Sequence, residues 1–350
     1  MDSFVSCLEN GEAALIITNT NRRYLTGFES SLGYLFVTRN KATLMVDGRY
    51  ILAAKQTVKN ANVVLLYKPS EQLTELLKAE NIKTVLLESS ISVAQFKRFN
   101  ESLQDVVCVA DGRVDRRLSE LREIKSEYEM ECIVSAQRIA EKAFAEILNF
   151  LKPGVSEREI AAELEYRMKL LGSEGESFDT IVVSGAKSAM PHGTPDGKKI
   201  ENGDFVTMDF GATFNGYCSD MTRTVAVGHA TDMMIDVYNT VLAAQKAAEN
   251  TVKSGVLGAD VDKAARDVIA GKGYGKYFTH STGHSIGLEV HESPAVSPKS
   301  DAILKSGNII TNEPGIYIDE KFGVRIEDML LVTDSGCKNL TKCEKTLIIL

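Results

Sequence analysis

Over the first 120 residues, short β-prone runs alternate with segments of helical spacing. Ala13–Thr18, Tyr34–Val37, Ala42–Val46, Asn62–Leu66 and Thr84–Glu88 read as strands, and Ser70–Ala79 and Val93–Leu103 read as helices. This pattern predicts an α/β domain over residues 1–120. It holds no Gly-rich phosphate loop and no clustering of metal-ligand or nucleophile residues. The charged stretch Arg116–Arg122 then leads into longer helices, which sets the boundary of a second domain over residues 121–350.

The second pattern opens with Ser126, a helix cap followed by Glu127 and Glu129 in the first turn. Ile133, Ala136, Ile139, Ala140, Phe144, Ile147 and Leu151 mark one apolar face, and Pro153-Gly154 stops the helix. Ser156 with Glu159 forms a capping box for a helix ending at Gly172. Strand-like runs follow at Thr180–Val183, Phe205–Ala212 and Tyr217–Val227. Helical patterns return at Met233–Ser254 and Val261–Ala270, and strands at Ile309–Glu313 and Val324–Val332. The order helix, helix, hairpin therefore occurs twice. Lys152-Pro153-Gly154-Val155 recurs as Lys253-Ser254-Gly255-Val256, 101 positions on. Gly203–Gly211 aligns with Gly307–Gly315, 104 positions on, with glycine, threonine, an acid and glycine in register. Two matches at nearly one offset imply an internal pseudo-twofold.

Composition narrows the class. The chain has 350 residues, 44% apolar and 25% charged, as a soluble globular protein does. Its net charge of −8 gives no basic footprint for nucleic acid. No apolar run approaches the roughly 18 residues of a membrane span. Residues 1–13 carry Asp2, Glu9 and Glu12 without a basic n-region, which argues against a secretory signal. The six cysteines are scattered with no CxxC pair, a usage typical of reduced, buried thiols. A cytoplasmic enzyme is the expectation.

The aligned acids carry the chemistry. Asp209 and Glu313 occupy equivalent strand ends, and each hairpin's second strand brings another acid, Asp220 and Glu327. Their neighbours are apolar, so core strands would leave the carboxylates partly buried. There they must protonate, pair or bind cations. Two divalent ions balance four carboxylates, in the arrangement used for metal-assisted hydrolysis. His284, next to Gly283, is the best imidazole ligand among the three histidines of His280–Glu292. An oxygen-rich set with one imidazole and no thiolate favours Mn²⁺, with Fe²⁺, Co²⁺ or Zn²⁺ as alternatives. Cys218 is a bystander to Asp220. Taken singly, each of these residues has a plainer reading: Glu289 and Glu292 as solvated charges, Arg325 as a salt-bridge partner of Glu327 or Asp328. His291-Glu292 does not begin an HExxH zinc motif.

The strings Met208-Asp209-Phe210-Gly211, Ser219–Thr224, Ser281-Thr282-Gly283-His284, Glu313-Pro314-Gly315-Ile316-Tyr317 and Val324–Asp328 stand in the order and spacing of a known family. The chain resembles the pita-bread metallopeptidases, in the Xaa-Pro aminopeptidase and Xaa-Pro dipeptidase (prolidase) branch. Asn21–Phe28 and Asp47-Gly48-Arg49-Tyr50 resemble the creatinase-type domain that precedes it. The resemblance implies an α/β (α+β) architecture, in which a creatinase-like domain precedes a pseudo-twofold catalytic domain with a curved antiparallel sheet and flanking helices. It implies two metal ions: Asp209 on one, His284 and Glu313 on the other, with Asp220 and Glu327 bridging. A bridging hydroxide would attack the scissile carbonyl, and Glu313 would carry the proton to the leaving nitrogen. His192 and His291 match histidines that contact substrate and stabilise the tetrahedral intermediate, and His280 and Arg325 match further substrate-pocket positions. The substrates would be proline-containing peptides, and the assembly a homodimer.

Two departures stand out. Ser285 replaces a common glycine. The loop Pro294–Leu304, where prolidases place an arginine for the substrate carboxylate, offers only Lys299. That weakens the case for a strict dipeptidase. The competing readings are a metal-free creatinase-like amidinohydrolase and a non-catalytic binding protein; a methionine aminopeptidase would lack the N-terminal domain.

Overall fold

Six strands build the sheet of the first unit, Met1–Arg122, in the computed structural model, which describes residues 1–103 and 105–350. They are β1 (Glu12–Ile16), β2 (Gly33–Val37), β3 (Ala42–Val46), β4 (Asn62–Leu65), β5 (Thr84–Leu87) and β6 (Val107–Val109), in the order β4-β3-β2-β1-β5-β6. The helices are α1 (Asp2–Val5), α2 (Asn19–Thr26), α3 (Ile51–Thr57), α4 (Pro69–Ala79), α5 (Val93–Ser102) and α6 (Arg113–Glu123). β1 is buried on both faces: Ala14 and Ile16 pack with Phe4, Leu25 and Leu118, while Ala13 and Leu15 pack with Leu73, Leu77 and Phe99. Two-sided burial explains why such strands read as continuous apolar runs.

Four helices of this unit, α1, α2, α3 and α6, and the strand β6 escape the apolar pattern. α2 is polar apart from Tyr24 and Leu25, and its start is held by Glu88, which accepts from the Thr18 N–H (2.8 Å) and the Asn21 amide (2.6 Å). No local signal reveals a partner almost 70 residues away. The charged stretch Arg116–Arg122, expected only as a lead-in, is the body of α6, and Val114 and Leu118 anchor it at an i, i+4 spacing.

The second unit, Glu123–Leu350, has helices α7 (Glu127–Ile147), α8 (Glu157–Leu170), α9 (Asp232–Thr251) and α10 (Gly258–Gly271). Both predicted capping boxes form, Ser126 with Glu129 and Ser156 with Glu159. Strands β7 (Ile181–Ser184), β8 (Phe205–Phe210) and β11 (Met221–Ala226) make one sheet, ordered β11-β8-β7, with β9 (Thr213–Phe214) and β10 (Tyr217–Cys218) as a small hairpin. A second sheet orders β13 (Glu292–Val296), β12 (Gly283–Ser285), β14 (Ile309–Asn312), β17 (Asp328–Val332) and β18 (Cys337–Asn339). β15 (Gly315–Ile318) pairs with β16 (Phe322–Arg325).

The duplication is written in the backbone. Gly154 donates to Ile200 O, and Ile200 donates back to Val155 O; Gly255 donates to Leu304 O, and Leu304 donates back to Val256 O. These are the same bonds at the offsets of 101 and 104. α7 and α9 end earlier than the glycines, at Ile147 and Thr251, and Gly154 (φ 90°) and Gly255 (φ 88°) take the left-handed conformation in the turns that follow.

The predicted strands Tyr217–Val227 and Val324–Val332 are each broken. Ser219 turns the first: its N–H donates to Ala212 O and its hydroxyl accepts from Ala212 N–H. Pro314, without an N–H, ends β14, so the chain forms the separate β15–β16 hairpin before returning as β17.

Candidate metal centre

Strand alternation aims the acids at one place. On β8, Val206, Met208 and Phe210 enter the core beneath α7 and α8, which leaves Asp209 on the opposite face. On β11, Met221 and Val225 share that core, so Asp220 and Thr222 face the same way as Asp209. On the second half, Val324, Ile326 and Leu330 pack into the other core, and Arg325 and Glu327 point away from it. Glu313 follows Thr311 by two positions, and the Thr311 hydroxyl donates to its Oε1 at 3.2 Å.

The ligand atoms of Asp220, His284 and Glu327 all lie within 4.8 Å of one another. His284 Nε2 is 3.6 Å from Asp220 Oδ2 and 3.4 Å from Glu313 Oε1, longer than a good hydrogen bond but close enough to share an ion. The other ring nitrogen, Nδ1, is 3.1 Å from the Ser285 carbonyl; as the donor there, it leaves the Nε2 lone pair facing the carboxylates. Burial pushes His284 down to about 4, with the adjacent His291 adding to the effect, so the ring is neutral.

Burial also raises Asp220 and Glu327 far above the carboxylate range, and repulsion from their neighbours, Asp209 and Glu313 among them, raises them further. Glu313 is pushed up to about 8 by the same burial. Asp209 Oδ1, Asp220 Oδ1 and Glu327 Oε1 are buried with no hydrogen-bond partner. Orphaned, mutually repelling oxygens beside a neutral imidazole are a donor set that hard divalent cations satisfy. The residues present fit such ions.

Around them lies a cavity of about 630 Å³ whose walls include His192, His280, His291, Phe178 and Ile181. Arg325 does not pair with Glu327 or Asp328: its Nη2 donates to Asp209 Oδ2 at 2.5 Å and its Nη1 to the Tyr317 hydroxyl at 2.8 Å. Burial works against this guanidinium, but Tyr317, Asp209 and Glu313 outweigh it and keep it charged. Two residues without a role in the sequence reading join the site. Tyr317 links Arg325 to His280, and Thr222 donates to Glu327 Oε2 (2.7 Å) while accepting from Arg325 Nε (3.0 Å). Their alternation with Glu313 and Asp220 was the available signal. Lys299 is exposed and does not line the cavity. Glu292, read as a solvated charge, is instead a buried ion pair with Lys125.

A duplicated α/β unit with four acids, three buried and Glu313 half-buried, and a histidine gathered at its strand ends is the scaffold of a metal-dependent hydrolase. Residues 131–334 match the model of metallopeptidase family M24, and residues 9–124 match the creatinase/prolidase N-terminal domain. The chain belongs to metallopeptidase family M24. It is 42% identical to an Xaa-Pro dipeptidase of Pyrococcus horikoshii over 96% of this chain and 94% of that one. Among solved structures, an Xaa-Pro dipeptidase from Bacillus anthracis superposes with a TM-score of 0.95 at 39% identity, covering 99% and 98% of the two chains. An X-Pro aminopeptidase from Thermotoga maritima superposes with a TM-score of 0.91 at 38% identity, covering 97% of each. Among the described residues, no helix is long and apolar enough to cross a membrane.

Proposed function

We propose that this metallopeptidase releases the N-terminal residue from peptides with proline in second place, and that it prefers peptides longer than two residues. The observation that carries the reading is the convergence of Asp220, His284 and Glu327 with three orphaned carboxylate oxygens. Asp209, Asp220, His284, Glu313 and Glu327 would hold two divalent ions, Mn²⁺ first among the alternatives for an oxygen-rich set. When bound, the ions supply a water of lowered pKa as nucleophile and polarise the carbonyl. The same orphaned oxygens count against a metal-free amidinohydrolase.

The remaining work falls to the chain. Glu313, placed at the centre and held by the Thr311 hydroxyl, would take one proton from the nucleophile and give it to the leaving proline nitrogen. His192 and His291, on the cavity wall, would donate to the carbonyl oxygen as charge develops. The preference for longer peptides follows from the lining: among the described residues that line it, the one arginine or lysine, Arg325, is already bonded to Asp209 and Tyr317, so a dipeptide's carboxylate finds no uncommitted guanidinium or ammonium there. Six free cysteines agree with a reducing cytoplasm, and the family resemblance with a homodimer.

Mn²⁺-loaded protein is tested with Ala-Pro and Ala-Pro-Ala at matched concentration, with products followed by mass spectrometry. The tripeptide should be cut at Ala–Pro with little dipeptide turnover. Faster dipeptide cleavage would reverse the length preference, and cleavage of neither would remove the peptidase reading.

A further inference from the structure

Something must fix His284 and His291, whose ring centroids lie 4.3 Å apart, because the strands that carry them pair irregularly. His284 faces Ala295 while Ser285 faces Glu292, so two residues of β13 are looped out and the ladder alone does not set the register. Beneath this irregularity lies Lys125, the residue before the Ser126 cap of α7. Its side chain is 1% exposed, and that of Glu292 is 4% exposed. Lys125 Nζ donates to Ser285 Oγ at 3.2 Å and to Glu292 Oε2 at 3.2 Å. Ser285 follows His284, and Glu292 follows His291. One ammonium therefore ties together the residues next to both histidines.

The surroundings tighten the arrangement. Ser285 Oγ donates to Ile309 O at 2.7 Å, fastening β12 to β14. Glu292 Oε1 accepts from the Glu289 N–H at 3.3 Å. Residue 287 must be glycine for the loop to wrap this carboxylate, since a Cβ there would lie 2.5 Å from Oε1. A charge pair buried this deeply gains little net stability, because desolvation offsets its attraction. Neither Lys125 nor Glu292 lines the cavity, so neither touches substrate.

We propose that Lys125, Ser285 and Glu292 act together as positioning residues that hold His284 toward the metal ions and His291 toward the substrate. This rests on the roles proposed above for those two histidines. It also accounts for Ser285, which supplies a hydroxyl that glycine could not.

The test uses calorimetric titration of Mn²⁺ into the metal-free protein, kinetics on Ala-Pro-Ala at saturating Mn²⁺, and the metal-free thermal midpoint. Wild type is compared with Lys125→Met, Ser285→Ala and the double variant Lys125→Met/Glu292→Leu. Lys125→Met removes the ammonium from beside a buried carboxylate and should lower the midpoint, whereas the double variant replaces the pair by apolar groups and should regain it. Both should bind Mn²⁺ roughly 10- to 100-fold more weakly and turn over more slowly, with KM within about twofold of wild type. Ser285→Ala keeps the ion pair and the fold, and should show a smaller loss of the same kind. If the double variant regains Mn²⁺ affinity and kcat along with its midpoint, the pair is merely structural and the proposal falls. Unchanged Mn²⁺ affinity and kcat in Lys125→Met would also overturn it. Wild-type protein that binds no Mn²⁺ would overturn the underlying reading of the centre, and this proposal with it.

Discussion

Tyr317 stands between a cation and an imidazole, and its proton has one direction to go. Arg325 Nη1 can only donate, so the tyrosine oxygen accepts at 2.8 Å. His280 Nδ1 lies 2.8 Å from the Ser281 carbonyl and donates there, so its Nε2 accepts from the tyrosine O–H at 2.8 Å. Burial pushes Tyr317 up to about 12 and His280 down to about 4, so both are neutral across the working range. Tyr317→Phe leaves His280 Nε2 and one guanidinium N–H unpartnered in a buried place. An unmade bond of that kind costs about 1–3 kcal/mol, so turnover of Ala-Pro-Ala should fall roughly tenfold or more. Metal stoichiometry, measured by elemental analysis, should stay at the wild-type value. The candidate ligands were legible at this scale because acids and glycines stand at repeated offsets and His284 follows a glycine. Tyr317 was not, since its partners lie 8 and 37 residues away and meet only in the folded chain.

The two halves of the second unit are joined, strand to strand, by arginine. Arg223 on β11 is buried, and all five of its N–H donors find acceptors: Glu327 O and Thr222 O, Asp328 Oδ1, and the carbonyls of Cys343 and Glu344. Asp328 in turn accepts from Gln245, Asn339 and Lys345, each at 2.7 Å. Glu327 thus receives its backbone position from one neighbour's partner and its side-chain orientation from Thr222. Arg223→Met removes the cation opposite a fully buried carboxylate, a change that costs about 3–5 kcal/mol. The three remaining donors to Asp328 place the expected loss at the lower end. Urea denaturation of the metal-free protein should show a lower midpoint with an unchanged slope. Elements with their own caps and apolar period, such as α7, α8 and α5, were legible from the chain. Elements held by distant polar partners, such as α2 on Glu88, and short pieces such as β9 and β12, carried too little local pattern to declare themselves.

At the scale of the molecule, the folded chain stores an electrostatic cost at the junction of its duplicated halves. Burial holds the Glu313 carboxyl up to about 8, against 4.5 for an ordinary glutamate, and raises Asp220 and Glu327 as well. A raised pKa means the metal-free folded protein keeps protons that the unfolded chain releases. The stabilisation from those protons is complete below about pH 4.5 and is lost as pH rises through about 8. The metal-free thermal midpoint should therefore decline from about pH 5 to pH 8 through these groups. Mn²⁺-loaded protein should lose that dependence, because cations take over the charge balance. A metal-free midpoint that rises over this interval would contradict the burial of the acids.

The sequence by itself determined the α/β character, the duplication and the identity of the acid and imidazole candidates. These rest on short-range signals: capping boxes, apolar period, and a motif repeated at offsets of 101 and 104. Tertiary structure alone decided the pairings. Arg325 and Asp328 are near neighbours in the chain, yet alternation sends one toward Asp209 and the other toward Arg223. Glu292 looked like a solvated charge because the cation that pairs with it, Lys125, lies 167 positions earlier. Burial sets the charge state of a carboxylate, and burial is decided by which surfaces meet when the chain closes, information that no stretch of local sequence carries.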